Sequence, residues 1–404
     1  MSTVDEKIAN LKEALSKSRP VCTGSSQISA QEATLIYGLQ NDKTARWIDL
    51  ANAAPAELNA LSDACQKATF GRNQEDVLDE TYRKAGQMSA KDFTIRFNVE
   101  KSGILAHVHA RLLEGFNKSD KRIEAELYKL NVYGAGSFFK AHKDTPRGET
   151  MFGSLVVVFP SPHVGGALHL RYDDKEEEFN SAHILSSLDT PTVAYAAFYG
   201  DVEHEVAVVE SGHRVTLTYN LYFADAGAPG PALALTAPPD ARDTSEIHFC
   251  LSALLKDPKF LPTGGILGFG LRHAYPVNSQ TSLKKLKSFL KGVDALLVHT
   301  SELLGLKTSL KAVYSDDDRE IILDNIAGDL NDCNVEENII HRLEDEFGSG
   351  CDIEDVTWVV ESSQVHLKAT YVAYGNEPSL GHIYGDLVLL VDIPSAKDRI
   401  QTKE

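Results

Sequence analysis

Six short segments between Leu127 and Phe223, "LYKLNVYG", "SLVVVFP", "GALHLRY", "TVAYAAFYG", "HEVAVVE" and "RVTLTYNLYF", are rich in β-branched and aromatic residues and are separated by Gly, Pro, Asp and Asn. Punctuation this frequent leaves no room for helices of ordinary length, so the region is restricted to short strands and predicts a barrel or sandwich. The flanks read differently. Apolar residues recur at helical spacing in "IANLKEAL", "PAELNALSDACQ" and "ILAHVHARLLEGF", which predicts an N-terminal helical region over 1–125 that packs on the core. After Phe223 the Ala, Gly and Pro of "ADAGAPGPALALTAPPDARD" predict a linker over 225–245. Residues 246–404 mix helical stretches such as "IHFCLSALLK" and "NVEENIIHRLEDEF" with strands such as "LKAVYS", "TWVVE" and "DLVLLVDI", and predict a C-terminal α+β domain. Its apolar, strand-rich tail "HLKATYVAYGNEPSLGHIYGDLVLLVDI" needs a partner face, and the barrel is the face expected to supply it.

The formal net charge of −18 repels phosphate backbones and anionic lipid surfaces, so neither nucleic acid nor membrane is an expected partner. No apolar run of the signal-peptide kind opens the chain, and no stretch of about 20 apolar residues occurs in it. The cysteines, Cys22, Cys65, Cys250, Cys333 and Cys351, are odd in number, scattered and without a C-x-x-C pair, as in a reducing compartment. The expected location is cytoplasmic or nuclear.

Within the strand-rich region stands "FKAHKDTPR", and among the 14 histidines only its His142 has an acidic residue two places on. In an extended strand, side chains two apart share a face, so His142 and Asp144 present an imidazole and a carboxylate to one point while Lys143 faces away. A third ligand must come from another strand, which leaves His163, His169, His183, His204 and His213. His204 heads "HEVAVV", and the following "RVTLTY" is expected to return beside it as a hairpin after "ESGH", bringing Arg214 next to the strand of His204. Two histidines and one carboxylate leave coordination positions open, an arrangement that suits iron(II) and dioxygen. Arg214 lies ten residues after His204 (214 − 204 = 10), with Thr216 two further along the same face. A guanidinium inside a barrel is costly unless it meets an anion, so a ligand carboxylate is its economical partner.

The order H-x-D, distant H, then R-x-T ten residues on resembles the iron(II)- and 2-oxoglutarate-dependent dioxygenases, and within them the prolyl 4-hydroxylase-like branch. It is also similar to largely uncharacterised fungal proteins of that branch. The resemblance covers about a quarter of the chain. It implies an α+β protein with a double-stranded β-helix, or jelly-roll, catalytic core over 126–224. It further implies that His142, Asp144 and His204 hold Fe(II), that Arg214 anchors the distal carboxylate of 2-oxoglutarate, and that Thr216 and Tyr133 supply hydroxyl partners. O2 would be the second co-substrate and ascorbate a candidate reductant. An Asp in the carboxylate position implies hydroxylation over halogenation. The substrate so implied is a prolyl residue of a peptide or protein; a small molecule of specialised metabolism is the alternative, and a non-catalytic metal-stabilised sensor or scaffold a third reading.

Plainer readings stand beside these. Arg214 could pair with Glu203 or Glu210, Tyr133 could be a core aromatic, and Arg147 could touch substrate or cap a turn. His107 and His109, two apart on a helix, cannot share a face. The glycines of "GILGFGLRH" lack the lysine and following helix of a phosphate loop, and "DDKEEE" reads as a solvated loop between strands. No second H-x-D follows residue 246, so one metal per chain is expected.

Overall fold

Two runs of this sequence are buried almost from end to end. Thr192–Tyr199 is buried at every position and Met151–Val158 at all but one. Strands covered on both faces belong inside a sheet, and these two pair antiparallel with each other. They sit in a seven-stranded sheet ordered Val21–Gln27, Thr192–Tyr199, Met151–Val158, Arg214–Asp225, Lys121–Tyr133, Gly86–Ser89 and Gln66–Lys67. A second, five-stranded sheet runs Lys175–Phe179, Leu168–Tyr172, Glu203–Val206, Phe138–His142 and Arg83–Lys84. All pairings in both sheets are antiparallel.

The computed structural model describes residues 2–38, 44–72, 75–113, 121–225, 242–315, 319–328, 330–334, 339–348, 353–361, 367–374 and 379–401. The chain divides into two units: Arg19–Leu112 with Lys118–Pro238, which holds both sheets above, and Met1–Ser18 with Leu113–Asn117 and Pro239–Glu404. Among the described residues no helix is long and apolar enough to cross a membrane.

The strand-rich region behaves as the sequence predicts, but the N-terminal region does not. Helices occupy Val4–Leu15, Pro55–Ala64 and Ile104–Leu112, and nine strands lie between Val21 and Ile95 where helices were expected. The reason is tertiary. Val21–Gln27 and Gly86–Ser89 complete the large sheet, so pairing partners outweigh local propensity there. The first helix, begun by a capping box between Thr3 and Glu6, belongs to the other unit. Its Leu11, Ala14 and Leu15 join that unit's core.

In that unit a sheet ordered Glu320–Leu323, Lys307–Ser315, Ser379–Ile393, Gly265–Gly270 and Val356–Val360 is joined by Leu367–Tyr374 and Leu330–Asn334. The apolar tail has a partner face within its own unit. Leu387, Leu389, Val391 and Ile393 are buried in one cluster with Leu251, Leu254 and Leu297 from the helices Arg242–Leu255 and Gly292–Leu303. The glycines of "GILGFG" form a strand, in keeping with rejection of the phosphate loop. Residues 226–241 of the expected linker lie outside the described residues, and 242–245 already belong to a helix.

Two further local readings are corrected. "DDKEEE" is not a loop: Asp173 and Asp174 adopt φ of 45° and 58°, the left-handed pair of a tight hairpin, and Lys175–Phe179 continues as a strand. Gly153 marks a close approach that only glycine permits, because a Cβ there would lie 2.2 Å from the Phe198 carbonyl oxygen. Gly153→Val should therefore destabilise the barrel unit by roughly 1 to 3 kcal/mol through overpacking. Urea denaturation checks this, and an unchanged midpoint would contradict the close approach.

Candidate metal centre

His142 closes the strand Phe138–His142, and in the antiparallel pairing with Glu203–Val206 it stands directly opposite His204. A register shift between Phe139 and His142 sets that opposition, so one irregularity in the ladder brings the two imidazoles together. Their ring centroids are 4.1 Å apart. Asp144 lies past the strand end, not on the strand as the sequence suggested, yet it arrives at the same point. One ligand atom from each of His142, Asp144 and His204 falls within 4.8 Å of the others.

The orientation of each group suits a cation. His142 Nδ1 meets the Lys140 carbonyl oxygen at 2.8 Å and His204 Nδ1 the Val202 carbonyl oxygen at 3.1 Å. A carbonyl only accepts, so each Nδ1 carries hydrogen, and in a neutral ring Nε2 is then the nitrogen with the lone pair. Burial, reinforced by the neighbouring His204, pushes the His142 pKa down to about 3, which keeps that ring neutral. Ser154 donates its hydroxyl to Asp144 Oδ2 at 2.5 Å, while Asp144 Oδ1 lies 3.7 Å from His204 Nε2. That gap is too long for a hydrogen bond and wide enough for an ion with bonds of about 2.1 Å. Phe139 stacks on His142 at 3.6 Å and Phe198 lies 4.6 Å from His204, fixing both rings.

Arg214 reaches the same space from the other sheet. The hairpin expectation is overturned, because Arg214–Asp225 pairs with Lys121–Tyr133 and Met151–Val158 and not with the strand of His204. Between them "HEVAVVE" splits: Val209–Gly212 leaves to pair with His163–Gly165. The consequence is a cavity of about 100 Å³ walled by both sheets, with His142, Asp144 and His204 on one side and Arg214, Thr216 and Tyr133 on the other. Arg214 is 1 % exposed, and its Nε and Nη2 have no hydrogen-bond partner among the described residues. Burial pushes its pKa down to about 10. Tyr133, its partner in the ladder, places its ring 5.6 Å from the guanidinium carbon. Gly166, at φ 67°, makes room for the side chain: a Cβ there would come within 3.0 Å of Arg214 Cδ. The salt-bridge alternative is not formed, and Glu203 lies instead 3.6 Å from Arg171.

Arg147 is not in this cavity. It lines an adjoining cleft of about 530 Å³, where it donates to the Tyr128 hydroxyl at 2.6 Å and stacks over that ring. Of the other histidines weighed as ligands, His163 meets the Ser161 carbonyl and the Ser181 hydroxyl and His169 meets Glu176, while neither His183 nor His213 lines the cavity. His107 and His109 do part company, His107 going to the Tyr195 hydroxyl at 2.6 Å. Ser154, Asn131, Thr218 and Arg83 line the cavity without having been singled out in the sequence. Ser154, a lone hydroxyl within the apolar run "SLVVVF", is the one that carried a signal.

No family model and no curated protein matches the chain. Solved structures do. A prolyl-4-hydroxylase of Pseudomonas putida is 17 % identical over 53 % of this chain and 98 % of its own, with a TM-score of 0.30. A prolyl hydroxylase of Trichoplax adhaerens, in complex with a hypoxia inducible factor oxygen degradation domain peptide fragment, is 13 % identical over 54 % and 90 %, with a TM-score of 0.32. A 2OG-Fe(II) oxygenase family oxidoreductase of Burkholderia pseudomallei is 14 % identical over 55 % and 91 %, with a TM-score of 0.26.

The geometry around Arg214 has a stability consequence. Replacing even a buried ion pair by apolar side chains of similar volume is often neutral to stabilising, by about 1 to 4 kcal/mol, and a buried charge without a partner has no attraction to lose. Arg214→Met should raise the thermal midpoint of the ligand-free protein, read by calorimetry; a marked fall would mean the arginine is paired and structural.

Proposed function

We propose that the chain is an iron(II)- and 2-oxoglutarate-dependent dioxygenase that hydroxylates a C–H bond, with a prolyl residue of a peptide or protein as the leading substrate and a small molecule as the second reading. One observation carries this: three metal-type ligands and an unpartnered buried guanidinium face each other across a single small cavity. The two antiparallel sheets that wall it are read as the two faces of a double-stranded β-helix.

His142, Asp144 and His204 would hold the iron. Their tautomers are set by the Lys140 and Val202 carbonyls, and the Asp144 carboxylate is aimed by Ser154, the kind of outer support that orients metal ligands. Arg214 would hold the far carboxylate of 2-oxoglutarate, with Thr216 and Tyr133 beside it as hydroxyl donors. With both bound, the metal and 2-oxoglutarate supply the oxidising chemistry, in which O2 is consumed and 2-oxoglutarate leaves as succinate and carbon dioxide. The rest falls to the protein. Val156, Leu168, Phe198 and Val206 form an apolar part of the cavity wall, which lowers the dielectric around the Arg214 charge. The adjoining cleft, of about 530 Å³, is of the size that admits a small molecule or a few residues of a peptide. It shares His142 and Asp144 with the inner cavity, so a substrate bound there meets the metal side of the site.

His142→Ala, Asp144→Ala and His204→Ala should each abolish iron-dependent formation of succinate from 2-oxoglutarate, assayed against pooled peptides and metabolites, while circular dichroism stays unchanged. Full turnover by Asp144→Ala with normal iron content would overturn the assignment.

A further inference from the structure

The cleft beside the metal centre carries a charge opposite to that of the whole chain. Against a net −18, its lining brings together Arg83, Lys129, Lys143 and Arg147, with two carboxylates, Asp79 and Asp144. Both carboxylates are already committed. Asp79 Oδ1 accepts from the Thr81 backbone N–H at 2.9 Å and the Thr81 hydroxyl at 2.7 Å, and Asp144 belongs to the metal-ligand group. None of the four cations is ion-paired with a carboxylate among the described residues. Lys129 donates to the Gln87 side-chain carbonyl at 3.0 Å, and Arg147 to the Tyr128 hydroxyl.

Arg83 is the element of this set that exposure alone does not explain. It is 8 % exposed, and its Nη1 and Nη2 donate to neutral acceptors only, the Thr69 carbonyl at 2.5 Å and Asn131 Oδ1 at 2.8 Å. Its Nε has no partner among the described residues. It lines both the inner cavity and the outer cleft. Its guanidinium carbon lies 4.4 Å from the centre of the Phe139 ring, which also stacks on His142 at 3.6 Å. A buried guanidinium offered only neutral acceptors is stabilised by an arriving anion, whereas solvent-exposed cations such as Lys143 contribute little alone.

We infer that the outer cleft takes a substrate bearing a carboxylate close to the carbon that is oxidised, with Arg83 as the buried anchor and Arg147 as the outer contact. The inference rests on the oxygenase reading, and it separates two carboxylate subsites: Arg214 serves the inner cavity and Arg83 the boundary with the outer one. Such a carboxylate belongs either to an acidic residue flanking the target in a peptide or to a free small carboxylic acid.

The test uses the full chain loaded with Mn(II) and N-oxalylglycine, an unreactive analogue of 2-oxoglutarate, so that the inner cavity is filled. Two labelled peptides with a central proline are compared by fluorescence anisotropy, one flanked by Asp and Glu, the other by Lys and Arg. The acidic peptide should bind roughly tenfold or more tightly than the basic one, the preference falling with added salt. Arg83→Met should remove most of that preference. Arg147→Glu, at an exposed position that leaves folding intact, should bring the two peptides towards equality. Displacement of the acidic peptide by free glutarate at comparable concentration assigns the cleft to small carboxylates; resistance to it assigns the cleft to acidic peptides. Equal binding of both peptides, or a preference unchanged in both variants, overturns the inference. Failure to bind Mn(II) and N-oxalylglycine would count against the oxygenase reading instead, and the peptide preference read on the metal-free chain would still decide the cleft.

Discussion

A guanidinium buried between two antiparallel sheets is the condition that the unit holding them has to satisfy. Arg214 is 1 % exposed, and two of its nitrogens lack a partner among the described residues. An arrangement of that kind costs several kcal/mol. The offset comes from its surroundings, since the strand of Arg214 is paired on both sides and flanked by fully buried Val215, Leu217, Leu155 and Val157. Each such side chain contributes about 1.5 to 3 kcal/mol on burial. Gly166 is part of the same solution, since a side chain there would occupy the space that the arginine needs.

The metal-type ligands depend on the second sheet in a complementary way. His142 and His204 face each other because one register shift places them opposite in an antiparallel ladder, and two backbone carbonyls then choose their tautomers. Because the carboxylate and the imidazoles come from the five-stranded side and Arg214 and Thr216 from the seven-stranded side, the cavity exists only where the two sheets meet. Anything that changes the spacing of the sheets changes the distance between Arg214 and the group of His142, Asp144 and His204.

Much of this was legible in the sequence, for identifiable reasons. Strand alternation and turn residues mark the region of the two sheets, and the ten-residue interval between His204 and Arg214 marks the site. The route of that interval was not legible. A tight hairpin and a crossover through Val209–Gly212 to the opposite sheet have the same length, and only the long-range pairing with His163–Gly165 separates them. The N-terminal strands were hidden for a related reason. Val21–Gln27 is a serine-, glycine- and threonine-rich segment that looks like a link until an antiparallel neighbour, Thr192–Tyr199, is supplied. Arg83 carried no local signal, because its importance lies in contacts with Thr69, Asn131 and Phe139, far from it or unremarkable in sequence.

The central claim is that one cavity binds a metal and a dicarboxylate through separate groups. It is tested most directly by calorimetric titration of 2-oxoglutarate into the Mn(II)-loaded chain and its Arg214→Met variant. The account predicts one Mn(II) per chain, one 2-oxoglutarate per Mn(II), and a loss of affinity for 2-oxoglutarate in the variant of well over an order of magnitude, as removal of a buried charge contact worth about 2 to 5 kcal/mol requires, with Mn(II) affinity unchanged. Equal affinity for 2-oxoglutarate in the two proteins, or binding that is indifferent to the metal, would contradict it.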